Sequence, residues 1–251
     1  MLQPAIWLLT NPTEETNIAL GQSKIGGLPH LPAHWNYPHF EDKPLGFLAQ
    51  INLAEIPNEL QLAPLPSTGI LYFFSLYGLI RDDGYLGPDL PWERGEEPGF
   101  TQVLYFDGPT TALIRQPKLE GVKPFGVAAI HFWKALSLPR ASGWCRDPIL
   151  KTLNWSEDEF GRLNELYFAF DTVQPRKRPN FPFSGIHQLL GYAGPVQSAV
   201  TTADTRLLCQ FDSDEGIDMN WGEDGLIYFT LRRSDLENKN FANIYAEIQC
   251  G

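Results

Sequence analysis

The sequence predicts an α+β fold that is rich in β-strands, with an internal duplication of an αβ unit around a shared core. The main observation is a pair of strand-like segments that occurs twice, at residues 45–52 with 69–74 and at residues 205–212 with 225–230. Two copies are too few for a solenoid, in which three or more short repeats stack. We therefore expect one domain over residues 1–251, with pseudo-repeats near 20–80 and 185–235.

The composition agrees with a globular domain built from strands and turns. The chain has 251 residues, of which 43% are hydrophobic and 20% are charged, as is typical of a protein with a sizeable core. Its 21 Pro and 22 Gly, beside seven Trp, nine Tyr and sixteen Phe, predict short strands joined by many turns.

The individual elements follow from local patterns. Apolar or alternating runs predict strands at residues 5–9, 45–53, 69–76, 127–133, 186–192, 206–212, 225–232 and 244–250. A turn at residues 107–109 predicts a hairpin between residues 101–106 and 110–115. A capping box at residues 156–159, followed by apolar residues at helical spacing, predicts the main helix, and residues 13–20 are expected to form a shorter one.

The charge balance bears on possible partners. Acidic residues outnumber basic ones by 30 to 19, for a net charge of −11. This excess disfavours a general nucleic-acid-binding protein, since neutralising phosphates requires Lys and Arg. An acidic surface instead steers a basic protein partner, although an acidic balance is also ordinary for a cytosolic protein.

Several features predict a cytoplasmic protein without a membrane span. No stretch reaches the roughly 18 apolar residues of a membrane-spanning helix, and the first nine residues lack the basic segment of a signal peptide. Cys145, Cys209 and Cys250 follow neither a disulfide framework nor a metal-binding spacing, which favours a reducing compartment.

Strand alternation gives the repeat a chemical meaning. Gln50 and Asn52 share one strand face in the first copy, and Gln210 and Asp212 share one face in the second. If a pseudo-two-fold axis relates the copies, these four side chains face one seam, close to His187 and Trp221. The predicted ligand-binding set is therefore Gln50, Asn52, His187, Gln210, Asp212 and Trp221.

One acidic segment has part of the pattern of a calcium-binding loop. Carboxylates or amides occupy positions 1, 3, 7, 9 and 12 counted from Asp212, and the candidate metal ligands are Asp212, Asp214, Asp218 and Glu223. However, Ile217 stands where such a loop needs glycine, and the flanking elements are strands. An acidic turn between two strands is the preferred interpretation, and no metal is predicted.

A second candidate for a metal site is the histidine cluster His30, His34 and His39. Zinc motifs of the His-Glu-x-x-His type need both histidines on one helical face. Prolines at positions 29, 32 and 38 exclude that helix, so packing in an extended loop is the preferred interpretation.

The sequence contains no catalytic motif, and we lean towards a protein that is not an enzyme. His187 in a polar seam is suited to act as a general base near neutral pH, but no nucleophile accompanies it. Cys209 alternates onto the apolar strand face, where a thiol stays protonated. The catalytic residues are left unknown, and no cofactor is predicted.

Five motifs occur in a fixed order along the chain: Ser23-Lys-Ile-Gly-Gly27-Leu-Pro29, Pro44-Leu-Gly-Phe-Leu-Ala-Gln50, Gly69-Ile-Leu-Tyr-Phe-Phe74, His187-Gln-Leu-Leu-Gly191 and Asn220-Trp-Gly222. Together they resemble the YwqG-like family of bacterial domains of unknown function. The resemblance implies a β-rich α+β fold with an internal duplication and brings no established activity. Some relatives are associated with toxin loci, so kinship implies an immunity or antitoxin role.

Three functions remain open, in order of preference. The first is a binding protein for a protein partner, of the toxin-immunity or antitoxin type. The second is a small-ligand binder that uses the predicted set in an inter-repeat cleft. The third is a hydrolase or transferase with His187 and Asp212 as its acid–base residues.

Overall fold

The computed structural model describes residues 2–81, 97–141, 145–173, 187–222 and 225–251. Within this part, the chain forms sixteen β-strands, two α-helices and several short 3-10 turns. The strands are β1 (Gln3–Thr13), β2 (Lys24–Ile25), β3 (His30–Pro32), β4 (His39–Phe40), β5 (Lys43–Pro44), β6 (Gly46–Asn52), β7 (Ile70–Ser75), β8 (Ile80–Arg81), β9 (Thr101–Phe106), β10 (Leu113–Arg115), β11 (Val122–Lys123), β12 (Val127–Ser137), β13 (Gln188–Leu189), β14 (Thr205–Asp212), β15 (Leu226–Arg232) and β16 (Tyr245–Gln249). The helices are α1 (Glu157–Val173) and α2 (Arg233–Glu237).

Ten of these strands form one antiparallel sheet in the order β16-β15-β14-β13-β1-β12-β2-β6-β7-β9. The remaining strands form three two-stranded ribbons, which pair β3 with β10, β4 with β5 and β8 with β11. The fold is therefore mostly β, and the predicted α+β class is wrong.

The predicted main helix is present, but it lies beside the sheet rather than within a repeated unit. Its capping box forms as expected, since the Ser156 N–H donates to Glu159 Oε2 at 2.7 Å and the Glu159 N–H donates to Ser156 Oγ at 3.3 Å. The helix packs Phe160 and Leu163 into a small cluster that is separate from the main core. In the described residues, no α-helix lies between the paired strands of either repeated segment, so the repeated segments do not form an αβ unit.

Two other local predictions are also wrong. The expected hairpin does not form, because β9 joins the edge of the main sheet beside β7 while β10 pairs with β3. A 3-10 turn at Thr110–Ala112 separates the two strands and redirects the chain. Of the short helix expected at residues 13–20, the structure has only a 3-10 turn at Glu15–Asn17.

Four strands lie on each side of a central pair of strands, and the two sets are arranged symmetrically. We call β2, β6, β7 and β9 the first half-sheet, and β13, β14, β15 and β16 the second half-sheet; they extend in opposite directions from the central pair β1 and β12. The registers also match, since Gln50 pairs with Tyr72 and Gln210 pairs with Tyr228. Each ladder has an irregularity three residues before its Gln, next to Phe47 in one half and Leu207 in the other.

The sheet curls until it is nearly closed, like a barrel. Phe73 on β7 packs against Phe211 on β14 and Phe229 on β15, with ring centroids 5.2 and 5.1 Å apart. The two ends of the sheet approach each other where Tyr105 on β9 lies 5.7 Å from Phe241, just before β16. The inner faces of both half-sheets therefore bury one shared apolar core.

We predict that Phe73→Ala destabilises the protein by about 3–5 kcal/mol, because Phe73 is fully buried between the half-sheets and its removal leaves a cavity. Phe73→Leu fills more of the same space and should cost clearly less. Urea unfolding followed by tryptophan fluorescence measures both changes. A loss below about 1 kcal/mol for the alanine variant would show that the half-sheets do not depend on this contact.

Candidate functional site

In the first half-sheet, Gln50 and Tyr72 bind the main-chain N–H and carbonyl of His30. His30 belongs to a segment that covers the outer face of the sheet, and we call such a segment a covering segment. The His30 N–H donates to Gln50 Oε1 at 2.9 Å, and the Tyr72 hydroxyl donates to the His30 carbonyl at 2.7 Å. All three side chains are fully buried. The pair therefore acts as a clamp that fixes the chain over the outer face of the sheet.

The second half-sheet contains the same clamp. The Gly194 N–H donates to Gln210 Oε1 at 3.0 Å, and the Tyr228 hydroxyl donates to the Gly194 carbonyl at 2.9 Å. We call these two arrangements the Gln–Tyr clamps. His30 and Gly194 thus occupy equivalent positions, although their side chains differ completely.

The equivalence extends to the residues before each clamp. The Asn52 N–H donates to Ser23 Oγ at 2.8 Å, and the Asp212 N–H donates to His187 Nδ1 at 3.1 Å. In the same way, the Lys24 ammonium donates to the Leu28 carbonyl, and Gln188 Nε2 donates to the Tyr192 carbonyl at 3.0 Å. Both acceptors lie four residues after the donor. His187 therefore occupies the position of a serine in the other half.

The structure does not bring the predicted ligand-binding set into one cleft. Gln50 and Gln210 lie on the outer faces of opposite half-sheets, because residues such as Phe73 and Phe229 alternate onto the inner faces between them. Asn52 is occupied locally, since its side chain donates to the Gly21 carbonyl and accepts from the Ala54 N–H. Their assignment as ligand-binding residues stays a prediction.

His187 lies in a sealed polar network. Its Nδ1 accepts from the Asp212 N–H, so the proton resides on Nε2, which faces Asp214 Oδ2 at 3.4 Å. The same oxygen of Asp214 accepts from the Thr10 hydroxyl at 2.7 Å, and the side chains of His187 and Asp214 are fully buried. Burial raises the pKa of Asp214, but the bonds from His187, Thr10 and the Gly216 N–H outweigh it and lower that pKa.

Trp221 lies in the main apolar core. It is 2% exposed, and its ring packs edge-on against Phe125 with centroids 5.6 Å apart. Its main-chain N–H donates to Ser213 Oγ at 3.1 Å. Packing of the connection between β14 and β15 accounts for these contacts.

Of the candidate metal ligands, Asp212 is the last residue of β14, and Asp214 and Asp218 lie in the connection to β15. Asp214 accepts from the Gly216 N–H and caps the 3-10 turn Glu215–Ile217. Asp218 is exposed and lies 3.5 Å from Lys123 Nζ, while Glu223 lies outside the described residues. Within the described ranges, no group of three or more His, Cys, Asp or Glu side chains is placed to hold a metal ion.

Among the described residues, four side chains that can carry charge meet in a cluster that the sequence interpretation missed. Glu15 Oε1 contacts Lys24 Nζ at 2.5 Å, Arg115 Nε at 3.2 Å and His30 Nε2 at 3.4 Å. The other carboxylate oxygen accepts from the Leu28 N–H at 3.1 Å. We call this group the Glu15 cluster.

The tautomer of His30 follows from its neighbours. Its Nδ1 accepts from the Gly21 N–H at 3.1 Å, so Nε2 carries the proton and donates to Glu15. Arg115 Nε also lies 3.2 Å from His30 Nε2, but a protonated nitrogen accepts no bond, so the guanidinium donates to the carboxylate. Burial lowers the pKa of His30, which favours this neutral form.

Burial and pairing shift the pKa values of the two central groups. Burial alone raises the pKa of Glu15, but bonds from His30 and Lys24, the Lys24 charge and the Leu28 N–H outweigh it and lower the pKa to about 2. Burial lowers the pKa of Lys24 to about 8 against the opposing attraction of Glu15. The Lys24 side chain is fully buried, whereas Glu15 and Arg115 remain partly exposed.

An open groove lies beside the Glu15 cluster. It is lined by the segments 27–29, 46–47, 117–119 and 122–124, together with Tyr37 and Gly78. We call it the first-half groove. The peptide groups of Leu28 in its wall are held by the buried ion pair, since Glu15 accepts from the Leu28 N–H and Lys24 donates to the Leu28 carbonyl.

Gly27 shows how closely the groove wall approaches the ion pair. Its φ of +71° is in the left-handed region, and a Cβ at this position would lie 2.0 Å from Glu15 Oε2. Glycine at position 27 therefore leaves room for the Glu15 carboxylate to approach the groove wall and accept from the Leu28 N–H.

The described residues thus form a mostly-β fold with two Gln–Tyr clamps and a groove whose wall an ion pair supports. A family model described as "Domain of unknown function (DUF1963)" matches residues 23–250, and the chain belongs to this family. Comparison with curated proteins gives no match. Of the helices in the described ranges, none has the length and apolar character required to cross a bilayer.

We predict that Tyr72→Phe and Tyr228→Phe each destabilise the protein by about 1–2 kcal/mol, because each leaves a carbonyl of the covering segment without its side-chain donor. Equal losses in urea unfolding would reflect the equivalence of the clamps. The control is Tyr105→Phe, which removes an exposed bond to the Thr68 carbonyl and should cost under about 0.5 kcal/mol. A neutral result at either clamp would contradict this interpretation.

We predict that Glu15→Gln destabilises the protein by about 3 kcal/mol at pH 7, because it leaves the Lys24 ammonium buried without a counter-charge. The double variant Glu15→Gln with Lys24→Met removes the stranded charge and should recover part of the loss. Denaturant unfolding of both variants measures the difference.

Glu15→Gln should also change how the free energy of unfolding depends on pH in the acidic range. The pKa of Glu15 is about 2 in the folded state against an ordinary value of 4.5, so its contribution to stability is full above pH 4.5 and is lost as the pH falls towards 2. The gap between wild type and Glu15→Gln should therefore narrow below pH 4.5. A constant gap across this range would show that the carboxylate charge is not responsible.

Proposed function

We propose that this protein is a binding protein that captures a protein partner, and that the first-half groove receives an apolar side chain of that partner. The observation that carries the proposal is an open, largely apolar groove whose wall is fixed from behind by the Glu15–Lys24 ion pair. A rigid apolar recess of this kind suits an anchoring side chain in a protein interface.

The hydrogen bonds and burial of the polar side chains favour a binding function over catalysis. Both ring nitrogens of His187 are engaged, and the described residues bury its side chain fully. Gln50 and Gln210 are likewise occupied by the main chain. The groove offers shape and apolar surface rather than a proton-transfer group.

The charge of the chain bears on the partner. A net charge of −11 attracts a basic protein over long range, whereas the groove itself contributes mainly apolar surface. Lys123 at its rim already pairs with Asp218. The proposed partner is therefore a basic protein that presents an apolar anchor, encountered in the cytoplasm. A YwqG-like immunity or antitoxin role is one form that this function takes.

The test uses a photo-crosslinking amino acid at Leu119 in the groove and, as a control, at Glu165 on the exposed face of α1. We expect a discrete adduct from position 119 alone, and its yield should fall as salt screens the acidic surface. Adding Val122→Lys, which places a charge in the groove wall, should lower the yield at least about tenfold, whereas Val122→Ile should not.

Two outcomes would refute the proposal. The first is an adduct that forms equally from positions 119 and 165, which indicates chance encounters. The second is an adduct whose yield is unchanged by Val122→Lys, which places the contact outside the groove. Circular dichroism of each variant confirms that the fold is intact.

A further inference from the structure

The two walls of the first-half groove differ in burial. Gly27 and Pro29 on one wall are buried, and so are Gly46 and Phe47 beside them. The opposite wall is formed by the segment 117–124, whose residues are all partly or fully exposed. We call residues 27–29 with 46–47 the buried wall, and residues 117–124 the groove loop. The groove therefore lies between a wall that belongs to the folded interior and a wall that belongs to the surface.

Both ends of the groove loop are tied to the buried wall. The Gln116 N–H donates to the Pro29 carbonyl at 2.9 Å, and the Gly27 N–H donates to the Phe125 carbonyl at 3.1 Å. Phe125 is 2% exposed and belongs to the main core. The loop thus leaves the buried wall on one side of Leu28 and rejoins it on the other, so its two ends are fixed points.

The attachments of the loop between these ends are slight. Val122 and Lys123 pair with the two residues of β8, and Lys123 Nζ lies 3.5 Å from Asp218 Oδ2, with 50% and 72% of the two side chains exposed. A ribbon of two residues is marginal by itself, and water and salt screen an exposed ion pair. Gly121 has a φ of +72°, and its Cβ position faces open space, so the chain can bend there.

The side chains of the groove loop control access to the groove. Leu119 and Val122 line it from the loop, across from Leu28 on the buried wall. Lifting the loop therefore widens the groove, while the Glu15–Lys24 ion pair continues to hold the Leu28 peptide groups. A fixed wall opposite a surface loop with anchored ends is the arrangement from which lids are built.

We propose that the groove loop is a lid, which lifts about its ends at Gln116 and Phe125, admits the anchoring side chain of the partner and closes over it. On closing, Leu119 and Val122 contact the anchor and exclude water from it. The ion pair of Lys123 with Asp218 is the latch. The role of the opening rests on the proposed function, whereas the motion itself is a property of the free protein.

The motion is measured without any partner, by thiol labelling of Val122→Cys in a background with Cys250→Ser, which removes a partly exposed native thiol. Native Cys209 is fully buried and is labelled only when the whole protein unfolds, so it is the internal reference. Peptide mass spectrometry separates the two thiols. We expect the thiol at position 122 to react at least about 100-fold faster than Cys209 and at least about tenfold more slowly than free cysteine.

The latch is tested by matched charge removal. Asp218→Asn should raise the labelling rate at position 122 about twofold to fivefold, because it releases Lys123. Asparagine also tolerates the left-handed backbone of position 218, where φ is +55°. The control is Glu120→Gln, which removes the same charge from an exposed loop residue and should leave the rate unchanged. If circular dichroism shows that Val122→Cys is unfolded, Leu119→Cys on the same loop takes its place.

Two results would overturn the lid. Labelling at position 122 no faster than at Cys209 would show that the loop opens only when the protein unfolds, and labelling at the rate of free cysteine would show that the loop does not close. Equal rates for Asp218→Asn and its parent would overturn the latch. A failed lid appears in these rates, whereas a failed partner groove appears in the crosslinks from position 119.

Discussion

The packing of Phe73 against Phe211 and Phe229 joins the two half-sheets, and much of the structure follows from it. Because the curled sheet buries its inner face, that face is apolar, and polar residues on the same strands must point outward. There they meet the main chain of the covering segments, whose buried peptide groups need partners. Gln50 and Gln210 meet this need in the same way.

The two halves hold the main chain of their covering segments by different chemistry. In the first half, the ion pair of Glu15 and Lys24 holds Leu28, whereas Ser137 and Gln188 hold the equivalent residue with neutral groups. Burying a charged pair costs desolvation energy, and this cost is offset only when further bonds satisfy it. The bonds from His30, Arg115 and the main chain fulfil that condition. The first-half groove therefore has a wall that charged groups support, whereas neutral groups hold the equivalent main chain of the second half.

The sequence predicts the strands better than it predicts their assembly. Alternation located β6, β7, β14 and β15 to within one or two residues, because period-two patterning is local. The class was wrong because α1, although correctly started by its capping box, packs outside the repeated segments. Whether Gln50 and Gln210 lie on the inner or the outer face depends on the direction in which the sheet curls. The sequence of a single strand does not determine that direction. The Glu15 cluster joins residues from four separate segments, so only Lys24, a lysine inside an apolar motif, hinted at it.

The central pair of strands couples the two ends of the chain. β1 pairs along its whole length with β12, from Gln3 with Ser137 to Thr13 with Val127. On its other edge, β1 pairs with β13 of the second half-sheet, whereas β12 pairs with β2 of the first half-sheet. On the ribosome, β1 therefore has no partner until β12 has been synthesised, and β13 then completes the sheet on its other side. Contacts this distant in sequence make folding slow, and the waiting strand exposes an unpaired edge. The centre of the sheet is thus completed only after the residues up to Leu189 have been synthesised.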